Sequence, residues 1–448
     1  MEHSSVDVVI VGAGVSGLAA ARVLHEAGIE FSVLEARERI GGRIFTRHDS
    51  SMPVPIELGA EFVHGVAPEL REIARDAGLA IIDIGGQRWQ SNGRGLRQLD
   101  DFWPLLEEVM SRLDEHRQPD RSFEQFLNTR PGGARLARAR ALALQFVEGF
   151  HAADPTRVSE RALAEGGSPG GVRERRIGRI LGGYNAIPVW LGRDVGSRIS
   201  FGAVVSSIRW EPGSVRVDMR RSDNEAHAIN GRAAIVTVPL GVLQATTGEP
   251  GAIAFEPSIE RERTKAEAVR GMEMGTVTRI TMQLREAFWT SERFMRRAKS
   301  QDLDRMAFLQ SADPDFPTWW TSYPVSAPTL VAWTGGPRAR ELASLGEDEA
   351  IDHAIAALGR QFHLTRREAR AMLVAAWTHN WVDDPYARGV YSYVLVGGND
   401  APAKLARPLR GTLFFAGEAS NAEGRTGTVH GAIATGRRAA KQALRALA

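Results

Sequence analysis

The chain contains no cysteine. That excludes disulfides, thiolate metal ligands, a cysteine nucleophile and any thioether-linked cofactor. Secreted proteins usually carry disulfides, so the expected compartment is the cytoplasm. Lysine is nearly as scarce. Lys265, Lys299, Lys404 and Lys441 are the only four, and every other cationic residue among the 56 is arginine. Arginine does not titrate near neutrality, which is how a net charge of only +2 coexists with a pI of about 9.1. No basic run is interleaved with aromatics, so a nucleic-acid partner is not expected. Long apolar runs are missing too. The longest, Val8 to Ala21, is studded with glycine and begins beside Asp7 with no basic segment before it. It falls short of the ~20 residues that span a bilayer and reads as neither membrane span nor signal peptide. The last helical stretch, 432–447, carries Arg437, Arg438, Lys441 and Arg445, which a membrane anchor does not tolerate at its centre. No membrane association is expected. No motif calls for a metal, and there is no internal repeat.

What is present is an ordinary globular composition, 43% apolar and 25% charged over 448 residues. That length suggests about three domains. Val6 to Val11 is a continuous apolar, β-branched run and predicts a buried parallel strand. Gly12 to Gly17 is a turn, Leu18 to Ala27 repeats alanine and leucine at helical spacing, Gly28 ends that helix, and Ile29 to Leu34 is a second strand. This is a βαβ unit, the start of a doubly wound sheet.

Residues 67–150 read as mostly helical, broken at Pro104, Pro119 and Pro131, and 165–175 as a flexible Gly/Ser/Pro loop. Ser200–Val217 and Ala233–Val238 are strand-like. Thr276–Leu284, Met306–Gln310, Trp319–Tyr323 and Leu330–Trp333 predict an antiparallel or mixed sheet in a second domain. Glu347–Phe362 is a helix, Leu413–Ala416 a last buried strand and Gly427–Leu447 a last helix.

Gly12-Ala13-Gly14-Val15-Ser16-Gly17 matches G-x-G-x-x-G between strand and helix. The first glycine permits the turn, the second admits a pyrophosphate close to the backbone, and the third packs helix on strand. The helix N-terminus faces the phosphates with free N–H groups. Glu35 closes the second strand, where a carboxylate accepts both ribose hydroxyls and repels a 2′-phosphate. To this point the cofactor is NAD or FAD. Arg39-Ile40-Gly41-Gly42-Arg43 then supplies a second glycine pair between arginines, able to cross the pyrophosphate again.

With that segment the sequence resembles the flavin-containing amine oxidase family: monoamine oxidases, polyamine oxidases and lysine-specific histone demethylases. The resemblance covers almost the whole chain. Glu35-Ala36-Arg37 with Arg39–Arg43 resembles the family's flavin fingerprint, and Glu57-Leu58-Gly59-Ala60-Glu61-Phe62-Val63-His64-Gly65 its E-L-G-A block beneath the flavin ring. Gly182-Gly183-Tyr184 and Val205-x-x-Ile208 resemble the return into the flavin domain, with Val205 at the adenine, and Val238–Leu243 is similar to a family strand-turn signature. Phe415-Ala416-Gly417-Glu418 and Gly427–Ala432 resemble the C-terminal block, which implies Glu418 at the ribityl or phosphate region and the Thr428–Val429 backbone at the pyrimidine end. The implied fold class is α/β: a Rossmann-type, doubly wound FAD-binding domain (1–70, 187–265 and 385–448) with an interleaved α+β substrate-binding domain (71–186 and 266–384). The implied cofactor contacts are Gly12, Gly14, Ser16, Gly17, Glu35, Arg37, Gly42, Arg43, Gly59, Ala60, Glu61, Phe62, Val205, Gly417, Glu418, Thr428 and Val429.

Oxidation of a carbon–nitrogen bond needs a neutral amine against the flavin, and aromatic walls favour it by excluding water. The block Tyr386–Tyr393, with Trp381 before it, resembles the family segment carrying those walls. The match puts Tyr391 on one wall and Trp381 beside N5. Thr428 stands where monoamine oxidases have their second cage tyrosine, the polyamine oxidase and demethylase pattern. Val390 precedes Tyr391, and without cysteine the FAD is not thioether-linked. His64 follows the E-L-G-A block, where polyamine oxidases carry His or Glu; it serves as a proton acceptor for the amine or as a cap on the next helix. His430 reads as structural. The family usually has a lysine, hydrogen-bonded through water to N5, where this chain has Arg279. Arginine keeps the charge and cannot relay a proton.

Amino-acid oxidases of the superfamily place a carboxylate-binding arginine just after the E-L-G-A-type block; Ala60–Val63 offers none, so a carboxylate-bearing substrate is disfavoured. Glu148, Asp154 and Glu165 are candidates for lining a polyamine tunnel. The expected activity is FAD-dependent oxidation of a small-molecule amine to imine and aldehyde, with O2 reduced to H2O2. The alternatives are an L-amino-acid oxidase, an amine dehydrogenase slow towards O2, and a flavin-binding protein without amine turnover.

Overall fold

A computed structural model describes residues 5–91, 95–166, 176–221, 225–298 and 302–448. The opening βαβ unit is present. Ser5–Val11 is a strand buried from Val8 onward, the helix Val15–Glu26 follows, and Phe31–Leu34 is the second strand. Ser5–Val11 pairs in parallel with Phe31–Leu34 on one side and Ala226–Val236 on the other. A strand covered on both faces has no polar side to show, hence its unbroken apolar run.

The first sheet has eight strands, in the order Ile199–Ser200, Phe31–Leu34, Ser5–Val11, Ala226–Val236, Ser214–Arg220, Val204–Glu211 and Ala254–Glu256, with Leu413–Phe415 also pairing Ala226–Val236 in parallel. Ser200–Val217, one strand-like stretch in the sequence, is three strands, of which Val204–Glu211 and Ser214–Arg220 form an antiparallel hairpin. The C-terminal helix is Val429–Leu447, capped at its start by Thr428, whose Oγ1 accepts the Gly431 N–H at 3.0 Å. It crosses Val15–Glu26 so closely that a Cβ on Gly436 would lie 2.0 Å from the Ser16 carbonyl oxygen.

The second sheet has seven strands: Leu373–Trp377, Val277–Leu284, Thr329–Gly335, Thr318–Thr321, Met306–Gln310, Gln87–Ser91 and Leu96–Gln98. It is mixed, because Met306–Gln310 runs parallel to Gln87–Ser91 while its other pairings are antiparallel. Helix Glu347–Phe362 buries Ile355, Leu358 and Phe362 in the core on this sheet.

The expectation for residues 67–150 needs correction. Helices Pro68–Asp76, Phe102–Met110, Phe123–Asn128 and Ala137–Phe150 are there, but Ile81–Asp83, Gln87–Ser91 and Leu96–Gln98 are strands. Gln87–Ser91 joins the second sheet through Met306–Gln310, more than two hundred residues away, a pairing that local periodicity does not carry, and Leu96–Gln98 adds the edge strand by pairing antiparallel with Gln87–Ser91. Pro104 interrupts nothing; it sits in the first turn of Phe102–Met110, where the missing N–H costs no helical bond. Of the loop expected at 165–175, Glu165 ends the helix Glu160–Glu165, and 167–175 lie outside the described residues. Among the described residues no helix is long and apolar enough to cross a membrane.

Candidate active site

A cavity of about 1190 Å³ runs from the carboxyl ends of the first sheet's parallel strands to the face of the second sheet. Open α/β sheets bind ligands at that strand end. Every cofactor-contact and redox-site residue expected from the sequence lines this cavity except Gly17. Gly17 lies behind the turn, where a Cβ would sit 1.9 Å from the Gly12 carbonyl oxygen, so it packs the turn and does not touch a ligand.

At the sheet end the glycine turn opens onto the cavity. A Cβ on Gly14 would meet nothing within 4 Å, so the backbone there opens directly onto the cavity. Ser16 is 4% exposed and its Oγ is buried with no protein partner, at the N-terminus of Val15–Glu26. An orphaned hydroxyl at a helix N-terminus suits a phosphate oxygen. Glu35 Oε2 accepts the Ala13 N–H at 2.7 Å and Oε1 the Arg37 N–H at 2.9 Å. These bonds fix the carboxylate across the turn. Burial nevertheless raises its pKa above the usual carboxylate range. The Arg39–Arg43 loop folds back onto the same turn: the Gly41 N–H donates to the Ala13 carbonyl at 2.9 Å. Arg37 forms a bidentate pair with Asp384 at 2.6 and 2.7 Å, and His379 reaches the same carboxylate at 3.0 Å. Burial would raise the Asp384 pKa, but the bonds from His379 and Arg37 outweigh it and hold the carboxyl below its usual range. Val205, at 5% exposure, forms the wall farther along.

Glu418 gathers three segments. It accepts from Arg43 Nη1 at 2.9 Å, Ser392 Oγ at 2.8 Å and the Gly427 N–H at 3.0 Å. Its oxygens are therefore engaged by the protein, and Glu418 holds Arg43 and the approach to Thr428 in place. Thr428 is similarly engaged: Oγ1 donates to the Arg425 carbonyl at 2.7 Å while capping the last helix. What that helix turns towards the cavity is its backbone, from Val429 onward.

Farther in, the walls become aromatic. Trp381 is 4% exposed, donates Nε1–H to the Leu58 carbonyl at 2.8 Å and stacks edge-on to His379 at 4.2 Å. Tyr391 donates its hydroxyl to the Phe150 carbonyl at 2.8 Å, and burial pushes its pKa upward. His64 lies between Phe62 and Phe150, 5.9 and 5.3 Å away, with Nδ1 buried and unpartnered. Burial, then the charges of His430 and Arg88, take its pKa down to about 4. The imidazole is neutral at pH 7 and free to accept a hydrogen bond.

Arg279 is no free cation. Nη2 donates to Glu61 Oε2 at 2.6 Å and Nη1 to the Gly59 carbonyl at 3.1 Å. Glu61 also accepts from Arg179 Nε at 2.8 Å and from Trp320 Nε1 at 3.1 Å. Burial favours the protonated form of Glu61, but Arg279 and Arg179 outweigh it and keep the carboxyl ionised, below its usual range. The result is an Arg–Glu–Arg cluster of net positive charge. Arg179 was not singled out in the sequence; it follows the Gly/Pro-rich stretch and carries no motif. Asp384, Gly436 and Arg88 were missed as well. A glycine deep inside a helix costs about 1 kcal/mol against alanine, the one signal that could have flagged Gly436. Of the three tunnel candidates, Glu165 lines the cavity, while Glu148 and Asp154 are not among its lining residues.

The fold and this cleft define a class, the two-domain α/β flavoproteins. The chain is similar to solved structures of putrescine oxidase with bound putrescine (TM-score 0.79, 20% identity, 98% of this chain and 99% of the other). It is also similar to cyclohexylamine oxidase from Brevibacterium oxydans IH-35A (TM-score 0.77, 20% identity, 98% and 99%). Among curated sequences it is 28% identical to probable polyamine oxidase 4 of Arabidopsis thaliana, over 96% of this chain and 85% of the relative. It is 27% identical to lysine-specific histone demethylase 1 homolog 3 of the same plant, spanning 97% of this chain but 29% of that much longer protein. The model of the flavin containing amine oxidoreductase family matches residues 15–444, and the chain belongs to that family.

Proposed function

We propose that the protein binds FAD, without a covalent thioether, and oxidises the C–N bond of a small-molecule amine to an imine, passing the electrons to O2 with release of H2O2. The observation that carries the reading is one continuous cavity. It joins a dinucleotide cradle (Gly14, the orphaned Ser16 hydroxyl, Glu35) to an aromatic chamber with a neutral imidazole. The flavin, when bound, supplies the two-electron acceptor. Ser16 and the helix behind it hold the pyrophosphate, and Glu35 takes the adenosine ribose, which FMN lacks. Trp381 and Tyr391 exclude water and hold the amine against the ring. Water exclusion favours the amine's neutral form, and the neutral His64 imidazole accepts a hydrogen bond from its N–H. Relatives and structural neighbours bearing polyamine oxidase, putrescine oxidase and cyclohexylamine oxidase names support an amine as substrate.

The test is to denature the purified protein, identify the released flavin, and mix the holoenzyme anaerobically with a panel of amines. FAD and amine-dependent bleaching are expected; FMN, no flavin, or no bleaching by any amine refutes the reading. Tyr391→Ala and Trp381→Ala should slow bleaching while FAD stays bound. Tyr391→Phe should do little, because the hydroxyl is spent on Phe150.

A second reading, a dehydrogenase that passes electrons to another acceptor and reacts slowly with O2, is favoured by one observation. The guanidinium of Arg279 is committed to Glu61 and Gly59.

A further inference from the structure

The arginines on the cavity wall are almost all paired. Arg37 lies 2.6 Å from Asp384, Arg43 2.9 Å from Glu418, Arg279 2.6 Å from Glu61, and Arg425 2.7 Å from Glu69. Arg88 is the exception: among the described residues, no carboxylate lies within ion-pair distance of it and no protein acceptor takes its side-chain N–H groups. It projects from Gln87–Ser91, in register with Phe308. Its guanidinium stacks on Phe102 and Phe308, each 4.4 Å from the ring centroid, and on Trp103 at 5.2 Å.

The position ties this cation to the redox chamber. Phe308 lies 5.9 Å from Phe62, Phe62 lies 5.9 Å from His64, and His64 lies 5.3 Å from Phe150, whose carbonyl holds Tyr391. The pKa of His64 is lowered in part by the charge of Arg88. Burial brings the pKa of Arg88 itself down only to about 10, so it stays charged at neutral pH.

A guanidinium taken out of water without an anion is costly, and stacking on rings offsets part of that cost. Stacking leaves the N–H donors unused. The ligand chemistry that satisfies a planar fork of donors is a carboxylate, accepted in bidentate fashion. A second ammonium group, as on a diamine or polyamine, would instead meet an unpaired positive charge. We propose that Arg88 receives a carboxylate carried by the amine substrate, so that the pocket takes an amino acid in preference to a di- or polyamine. The inference rests on the amine oxidation proposed above. It also supplies, from a different strand, the cation that the segment after the E-L-G-A block lacks.

The experiment has two arms. In the first, the anaerobic holoenzyme is mixed with matched pairs, phenylalanine against 2-phenylethylamine and 6-aminohexanoate against hexylamine, with 1,6-diaminohexane added. In at least one pair the carboxylated member should reduce the flavin about tenfold more efficiently than its partner, and the diamine should be poor. In the second arm, 3-phenylpropionate, which has no amine and undergoes no oxidation, is titrated calorimetrically into the holoenzyme. Arg88→Gln should weaken that binding by about 10- to 100-fold. It should penalise the carboxylated substrate similarly and its carboxylate-free partner much less, and Arg88→Lys should recover part of the loss. The wild-type rankings and titration decide the matter even if the glutamine variant does not fold. Alkylamines or the diamine outpacing every carboxylated partner, or 3-phenylpropionate binding unaffected by Arg88→Gln, overturns the inference and leaves amine oxidation standing. Arg88-dependent binding of 3-phenylpropionate with no bleaching by any amine does the reverse.

Discussion

Glu35 illustrates how one side chain serves structure and ligand together. Its carboxylate fixes Ala13 and Arg37 through their N–H groups and still faces the cavity. Hydrogen bonds to a charged group are worth ~1.5–3 kcal/mol. Glu35→Ala should therefore lower FAD affinity by roughly ten- to a hundredfold, measured by the fluorescence of released flavin at equilibrium. Arg279 poses a sharper question. Lysine is a compact point charge, and arginine a wide fork that needs several acceptors; here the fork has found Glu61 and Gly59. Reoxidation of the reduced enzyme by O2 should be slow beside anaerobic reduction. Arg279→Lys should speed reoxidation and leave reduction nearly unchanged. Stopped-flow measurement of both half-reactions checks this, and a wild type that reoxidises as fast as it is reduced, unimproved by lysine, counts against it.

At the scale of elements, the contact that matters most for the cofactor end is between the first and last helices. Gly436 lets Val429–Leu447 lie directly on Val15–Glu26, whose N-terminus presents Ser16 to the cavity. A methyl group there has no room beside the Ser16 carbonyl. Gly436→Ala should separate the helices at a cost of about 1–3 kcal/mol, lower the melting temperature and increase FAD loss on dilution. A variant as stable and as well loaded as wild type would show that the crossing adjusts freely. The elements legible in the sequence share one property: their pattern is local. Ser5–Val11, Met306–Gln310 and Glu347–Phe362 can be read from their own composition. Gln87–Ser91 cannot. Its Gln-Arg-Trp-Gln-Ser has no apolar run and is a strand only because Met306–Gln310 offers it an edge. Arg88 was hidden for the same reason, since an arginine in a stretch that reads as helix carries no sign of facing a pocket.

At the scale of the whole molecule, the cavity is assembled from residues as far apart as Val11 and Ala432. The motif-bearing half of the site was legible, because glycine turns and the acid after a strand leave fixed spacings. The substrate half was legible only in part: Trp381, Tyr391, His64 and Arg279 came with the resemblance, while Arg179 and Arg88 carry no motif and reach the cleft only once the second sheet has formed. That assembly also buries titratable groups that local sequence leaves unperturbed. His151 sits edge-on against the stacked rings of Phe146 and Phe150, 5.4 and 5.3 Å away, and burial lowers its pKa from 6.5 to about 4. Its sign follows from linkage. Above pH 6.5 the imidazole is neutral folded or unfolded and costs nothing; as pH falls from 6.5 towards 4, the unfolded chain binds a proton that the folded one refuses, and stability is lost. Glu57, raised to about 7 by burial, works in the opposite direction over the same range, so the wild-type profile alone is not diagnostic. The difference between wild type and His151→Phe isolates the histidine. The phenylalanine variant should gain on wild type as pH falls from 6.5 to 4, by up to about 3 kcal/mol in all, with no further pH dependence of the difference above pH 7. Denaturant unfolding of both proteins at half-unit pH steps measures it, and parallel stability curves across that window would mean that water in the cavity reaches the imidazole and lets it titrate normally.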